Sequence, residues 1–236
     1  LIPDLIHLFA YLDASISDGK TERHIIKNGE LQNVANLGET QMTSPNTLTD
    51  FIKWSASNYP ADRYELLLWN HGGGTALGFG YDEMYPDDML SLSQIGNALS
   101  YSGIKFDIVG FDACLMGTIE TAYMLEPYAD YLVASEEYEP GTGWYYSEWL
   151  KNLSDNTSMP TVEIGKKIVE DYINGPDSSF FDSNTLSIVD LREIPYTYSK
   201  LCETMQQEEG VLDSRYSVIS QARYNAKSFG DGEYEQ

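Results

Sequence analysis

At 236 residues with 42% hydrophobic content, the chain can bury a full core and is read as one domain. No apolar run approaches the ~20 residues that a membrane-spanning helix needs. The balance of 14 Lys and Arg against 37 Asp and Glu, a net −23, argues against nucleic acid or anionic membrane as partners and favours basic ligands, although acidity also serves solubility alone. Cys114 and Cys202 are the only cysteines, too few for a disulfide framework. The chain opens at Leu1 rather than Met and shows no signal-peptide pattern, as a processed or trimmed product would.

Taken in order, His7 to Asp13 predicts a strand, Ser17-Asp18-Gly19 a turn, and Arg23 to Ile26 a return strand. Thr47 to Asn58 predicts a helix, because Leu48, Phe51, Ile52 and Ala56 share one face, with Pro45-Asn46 before it and Pro60 after it. Leu66-Leu67-Leu68-Trp69 reads as a strand that ends abruptly at Asn70-His71-Gly72-Gly73-Gly74. A loop rich in Gly, Tyr and acid follows, Gly78 to Asp88, and then a helix from about Leu92, where Ser91 and Gln94 have capping-box spacing. Ile108 to Asp112 predicts a second apolar strand, ending at Ala113-Cys114-Leu115-Met116, with a helix from Met116 to about Leu125. The remaining elements are a strand at Tyr131 to Ala134, helices at Thr161 to Ile173, Tyr196 to Glu209 and Ser214 to Ala226, and a last strand near Thr185 to Val189. Strands alternating with helices imply an α/β fold with a mainly parallel sheet covered on both faces. No internal repeat or low-complexity linker divides it.

Three strand ends carry chemistry. Open α/β sheets place their sites there, where loops free of ladder bonding converge on a crevice. One strand delivers His71 and the next Cys114. A thiol attacks only as thiolate, and a nearby imidazole is the commonest way to generate one at neutral pH. The third strand runs into Ser135-Glu136-Glu137-Tyr138-Glu139-Pro140-Gly141-Thr142-Gly143-Trp144, an acidic, glycine-rich wall for the same crevice. With Asp112 beside the nucleophile, such carboxylates suit a cationic side chain.

These three motifs, in this order, resemble the clostripain family of cysteine peptidases, most closely from about Thr47 to Trp149. The resemblance implies the caspase-like α/β/α sandwich shared with gingipains and legumains. It further implies catalytic His71 and Cys114, an oxyanion hole from the backbone N–H groups of Gly72 and Cys114, and Asp112 lining a pocket for a basic residue. Ser135, Glu136 and Trp144 would join the substrate-binding wall. The expected activity is endopeptidase cleavage of peptide or protein substrates after Arg or Lys, in a secreted or cell-envelope setting. Relative to the family, the opening segment corresponds to the second strand, so the first strand and helix are expected to be missing. The chain also stops after Phe229-Gly230, where the family usually continues. Tyr145 stands where an acidic or amide residue is expected.

Other readings use parts of the same pattern. A serine esterase also uses His-Gly-Gly-Gly donors, but its Gly-x-Ser-x-Gly elbow is absent from this sequence. A non-catalytic caspase-like binding or scaffold domain would require loss of the dyad, whereas both residues are present. No cofactor is required for thiol chemistry and no metal ligand set is assigned. Asp82, Glu83, Asp87 and Asp88 offer carboxylate oxygens to calcium, yet without an ordered ligand loop they read as a solvated acidic loop. Cys202, in a helical pattern with Leu201 and Met205, reads as core or partly buried, and His7 and His24 as structural or exposed. Lys105 is the one basic residue between His71 and Cys114, so self-cleavage there is not expected.

Overall fold

A computed structural model describes residues 8–14, 20–27, 29–175, 184–207 and 216–230; His7 and the Ser17-Asp18-Gly19 turn lie outside them. In chain order the strands are β1 (Leu8–Ala14), β2 (Lys20–Lys27), β3 (Glu30–Gly38), β4 (Glu65–Trp69), β5 (Phe106–Asp112), β6 (Ala129–Ala134) and β7 (Ser187–Asp190). The helices are α1 (Pro45–Asn58), α2 (Gly74–Leu77), α3 (Leu92–Ser102), α4 (Ile119–Leu125), α5 (Tyr146–Asp155), α6 (Thr161–Asn174), α7 (Ile194–Gln207) and α8 (Tyr216–Asn225).

The strands form two sheets rather than one. β1, β2 and β3 make an antiparallel sheet in that order, because their connections are too short to hold a crossover. The main sheet has the order β4-β5-β6-β7, with β4, β5 and β6 parallel and β7 antiparallel to β6. Arg23 of β2 ties the small sheet to α1, pairing with Asp50 and lying 5.1 Å over the Trp54 ring.

Helices cover both faces of the main sheet, and the alternation along each strand sorts the core. Leu66 and Leu68 of β4 and Val109 and Phe111 of β5 pack with Ile52 of α1, Ile95 and Leu99 of α3, and Leu125 of α4. Ile108 and Val133 face the other way, onto Trp149 and Leu153 of α5 and Ile164 and Ile168 of α6. β5 is therefore apolar on both faces, as a central parallel strand must be. This three-layer α/β/α sandwich is the caspase-like architecture that the motifs imply. Phe111 is fully buried and meets Phe79 edge-on at 5.5 Å, which fastens the segment after β4 onto β5.

Several boundaries differ from the sequence-based expectation. β3 and α5 are additional elements: β3 is largely polar and exposed, and α5 buries only Trp149 and Leu153, so neither carries a strong apolar pattern. α4 begins at Ile119 rather than Met116, because the Thr118 hydroxyl caps it by accepting the Thr121 N–H. α3 starts with the Ser91–Gln94 capping box, both bonds present. On α7, Cys202 is half-buried, but Leu201 and Met205 are exposed, so that face is not core. His24 is buried and hydrogen-bonded to Glu22 at 2.9 Å.

Candidate active site

β4 and β5 run parallel with Trp69 opposite Asp112, and Asn70 N–H extends the ladder to Asp112 O. His71 and Cys114 therefore each emerge two residues past the same paired position, on strands that lie about 4.8 Å apart. Beyond β4 the chain turns back on itself. Gly73 N–H donates to Gly78 O and Gly80 N–H to His71 O, a bridge that does not use the Gly72 N–H. Asn70 staples this turn: its side-chain oxygen accepts from His71 N–H at 2.6 Å and from Tyr81 N–H at 2.8 Å. His71 itself is exposed, edge-on to the Tyr81 ring at 6.1 Å. Only glycine fits at position 72, since a Cβ there would stand 2.0 Å from the Cys114 carbonyl oxygen.

Cys114 is half-buried and followed by a strained elbow. Leu115 has φ +61°, a left-handed conformation that a branched side chain adopts only when its surroundings enforce it. Here the enforcing element is the loop after β6. Glu137 O accepts from Leu115 N–H at 3.2 Å, Ser135 O accepts from Gly117 N–H at 2.7 Å, and Glu139 N–H donates to Cys114 Sγ at 3.2 Å. Burial, together with the charges of Glu139 and Glu137, pushes the Cys114 thiol up, against the Glu139 N–H that lowers it.

Close to Cys114 lies a packed acidic cluster of Asp112 and Glu139. The Asp112 carboxylate accepts the Trp144 N–H on both oxygens at 3.1 Å and the Tyr146 O–H at 2.8 Å. Gly143, at φ +69°, lets the loop pass so close that a Cβ would meet both Asp112 oxygens at 2.9 Å. Trp144 Nε1 donates to Glu139 at 3.3 Å. Burial raises Asp112 above the usual carboxylate range despite those donors, and burial together with the Asp112 charge pushes Glu139 up to about 9. Burial and the same two acids push the phenols of Tyr146 and Tyr172 upward.

A separate apolar cleft of about 320 Å³ opens beside His71 and Gly72, walled by Leu77, Tyr81, Met89, Leu115 and Tyr138. It suits an uncharged stretch of extended peptide.

The fold thus brings His71, Gly72, Cys114, Asp112 and Trp144 to one sheet edge. Ser135 and Glu136 take other positions. Ser135 is fully buried, bracing the loop through Glu137 and Thr185, and Glu136 accepts from Ser187. Glu139, Tyr146 and Tyr172 are site residues that no sequence signal singles out. Glu139 is one acid among several in the exit loop, and Tyr146 follows the position that departs from the family pattern. Tyr145 itself lies against Gly175 instead, about 3.2 Å from where a Cβ there would be. Among the described residues, no three His, Cys, Asp or Glu gather as a metal site. In the acidic loop, Asp82 is buried and accepts the Met42 and Met84 N–H groups on its two oxygens, while Glu83, Asp87 and Asp88 are exposed.

Comparison with known proteins agrees with this architecture. The model of the clostripain family matches residues 2–228. Clostripain of Hathewaya histolytica is 36% identical over 128 residues, which are 47% of this chain and 24% of that protein. A secreted C11 cysteine protease from Bacteroides thetaiotaomicron, solved with an irreversible peptide inhibitor, superposes with a TM-score of 0.67 at 22% identity, covering 80% of this chain and 56% of the other. An inactive zymogen C11 protease from Parabacteroides distasonis gives 0.63 at 23% identity, covering 80% and 53%. The chain therefore spans about a quarter of the curated relative's length and just over half of each solved neighbour's. With the match running through the strand ends that carry His71 and Cys114, the chain belongs to the clostripain family.

Proposed function

We propose that the chain carries the catalytic machinery of a cysteine endopeptidase that cleaves after Arg or Lys. The observation that carries this reading is the shared strand edge: His71 and Cys114 leave adjacent parallel strands at the same register, next to a buried carboxylate. In the reaction His71 takes the Cys114 proton as Sγ attacks the scissile carbonyl. The N–H groups of Gly72 and Cys114 hold the developing oxyanion, each worth a few kcal/mol in such sites. His71 then returns the proton to the leaving amine as the C–N bond breaks. Water, activated by the same imidazole, hydrolyses the thioester and releases Cys114.

A thiol held up by burial is inert until the base acts, which suits a dyad rather than a preformed ion pair. The basic preference is supported by the acidic character of the site, with the buried Asp112 and half-buried Glu139 lying among phenol and indole groups beside Cys114. Peptide and protein substrates follow from that chemistry. The description of the Bacteroides thetaiotaomicron neighbour as secreted supports an extracellular or envelope location. A fluorogenic peptide library tests the specificity directly: the highest rates belong to Arg and Lys before the scissile bond, and a uniform profile would contradict the assignment.

A further inference from the structure

His71 and Gly72, which take part in the proposed reaction, also line the apolar cleft of about 320 Å³. Among the described residues, no Asp, Glu, Lys or Arg lines it, although the chain carries a net −23. The acids nearest in sequence, Glu83, Asp87 and Asp88, stand exposed in the segment that leads to Met89. Two walls of the cleft, Leu77 and Tyr81, keep 43% and 44% of their surface open to solvent. Exposed apolar residues scattered singly need no explanation, but gathered around a concave space they mark a binding site.

The walls are set by contacts within the protein. Leu77 folds over Gly73, where a Cβ would stand 2.5 Å from the Leu77 Cβ, and its N–H donates to Gly73 O. Tyr81 is held at both backbone groups by the Asn70 amide, which accepts its N–H at 2.8 Å and donates to its carbonyl at 3.3 Å. Phe79 and Leu90 exchange both backbone bonds, which brings Met89 back to the same turn. Leu115 is buried, and Glu137 O holds its left-handed backbone. A cleft already formed loses little freedom when it is filled.

The chemistry places the cleft on one side of the scissile bond. When that C–N bond breaks, Cys114 Sγ keeps the acyl half as a thioester and His71 gives its proton to the amine half. The residue that begins the amine half therefore sits at His71, where the cleft opens. The Asp112 carboxylate is enclosed instead by Gly143, Trp144 and Tyr146, none of which lines the cleft.

We propose that this cleft is the subsite for the residue immediately after the scissile bond, and that it selects a large apolar side chain there, with Leu77 and Met89 as specificity-determining residues. The inference rests on the reading of the site as a cysteine peptidase, and deepens it by naming the residue class taken on the leaving side. The exposed acids before Met89 add repulsion against Asp or Glu at the same position.

Internally quenched peptides that differ only in Leu, Phe, Ala or Asp after a fixed Arg test this. The amine half departs as the thioester forms, so its preference is read in kcat/KM. Leu and Phe should exceed Ala by roughly tenfold, with Asp the slowest. In Leu77→Lys, a change at an exposed position, the ratio of Leu to Ala should fall several-fold and Asp should gain on Ala. Cleavage after Arg at equal rates across the set overturns the inference and leaves the peptidase reading standing, as does a Leu77→Lys profile identical to wild type. If no peptide of the set is cleaved, the peptidase reading falls and this inference with it. Should Leu77→Lys not fold, interception of the wild-type thioester decides. With an arginine ester as acyl donor, the amine of leucinamide should attack the thioester carbonyl and release Cys114 roughly tenfold more effectively than glycinamide at equal concentration. Equal interception by the two amines overturns the proposal.

Discussion

Trp69 and Asp112 are register partners on β4 and β5, so that His71 and Cys114, each two residues further on, lie at the same end of the sheet. A slip of one residue in this pairing would turn each side chain to the opposite face of the sheet. The register is fixed by the apolar residues behind it, with Leu66, Leu68, Val109 and Phe111 all buried in one core.

The close approach of Gly72 to the Cys114 carbonyl gives the first prediction. Gly72→Ala places a methyl group 2.0 Å from that oxygen, so the His71 turn must move away from Cys114. Because the oxyanion donors depend on this spacing, kcat should fall by roughly 100-fold or more. A melting curve showing a folded protein beside steady-state kinetics checks it; near wild-type kcat would refute the role given to Gly72.

Asp112 predicts a selective loss. Removing the buried partner of a guanidinium costs about 3–5 kcal/mol. Asp112→Ala should accordingly depress cleavage of arginine substrates by two orders of magnitude or more, and of neutral ones far less. Equal losses on both would assign Asp112 to support of the Trp144 loop alone, since it also anchors Trp144 N–H and Tyr146 O–H.

Much of this site is legible in the amino-acid sequence. The apolar runs ending at His71 and Cys114 mark strand ends, and Ser91 with Gln94 marks the start of α3, because those signals are local in the chain. What escapes depends on distant contacts. Glu139 is one of several acids in its loop, and only the fold brings its carboxyl to the Trp144 indole N–H and its own N–H to Cys114 Sγ. Ser135 reads as a pocket residue yet is a fully buried brace, a role set by Thr185, fifty positions away. β3 escapes for the opposite reason: it buries little, so Glu30–Gly38 lacks an apolar alternation.

Glu65 on β4 makes stability depend on pH. Burial, opposed by Arg63 and assisted by Asp107, pushes its carboxyl from 4.5 to about 7. The folded state therefore holds a proton that the unfolded chain has already lost. Its stabilising contribution is complete below about 4.5 and is lost as pH rises through about 7. Glu65→Gln should remove this slope and gain roughly 1–2 kcal/mol relative to wild type between pH 5 and pH 8, since the group is partly solvated. Urea titrations at both pH values measure it, and an unchanged difference would contradict the assignment.

Self-cleavage between His71 and Cys114 is not expected. Lys105, the one basic residue there, donates to Ala129 O at 2.9 Å and pairs with Asp130 at 3.4 Å. It precedes Phe106, the first residue of β5, whereas Cys114 follows the last, about 20 Å along the strand. Intact-mass analysis after long incubation should show no fragment junction in residues 72–113. Such a junction, absent in Cys114→Ala, would overturn this prediction.

The assignment of Cys114 as nucleophile and His71 as its base stands under everything else proposed for this site. Labelling with an arginyl chloromethyl ketone, read by intact mass and peptide mapping, tests it most directly. One adduct should form, on Cys114, with parallel loss of activity. It should be absent in Cys114→Ala, strongly slowed in His71→Ala and unaffected in Cys202→Ala. An adduct mapped to Cys202, or a Cys114→Ala protein that still cleaves arginine peptides, would contradict the account.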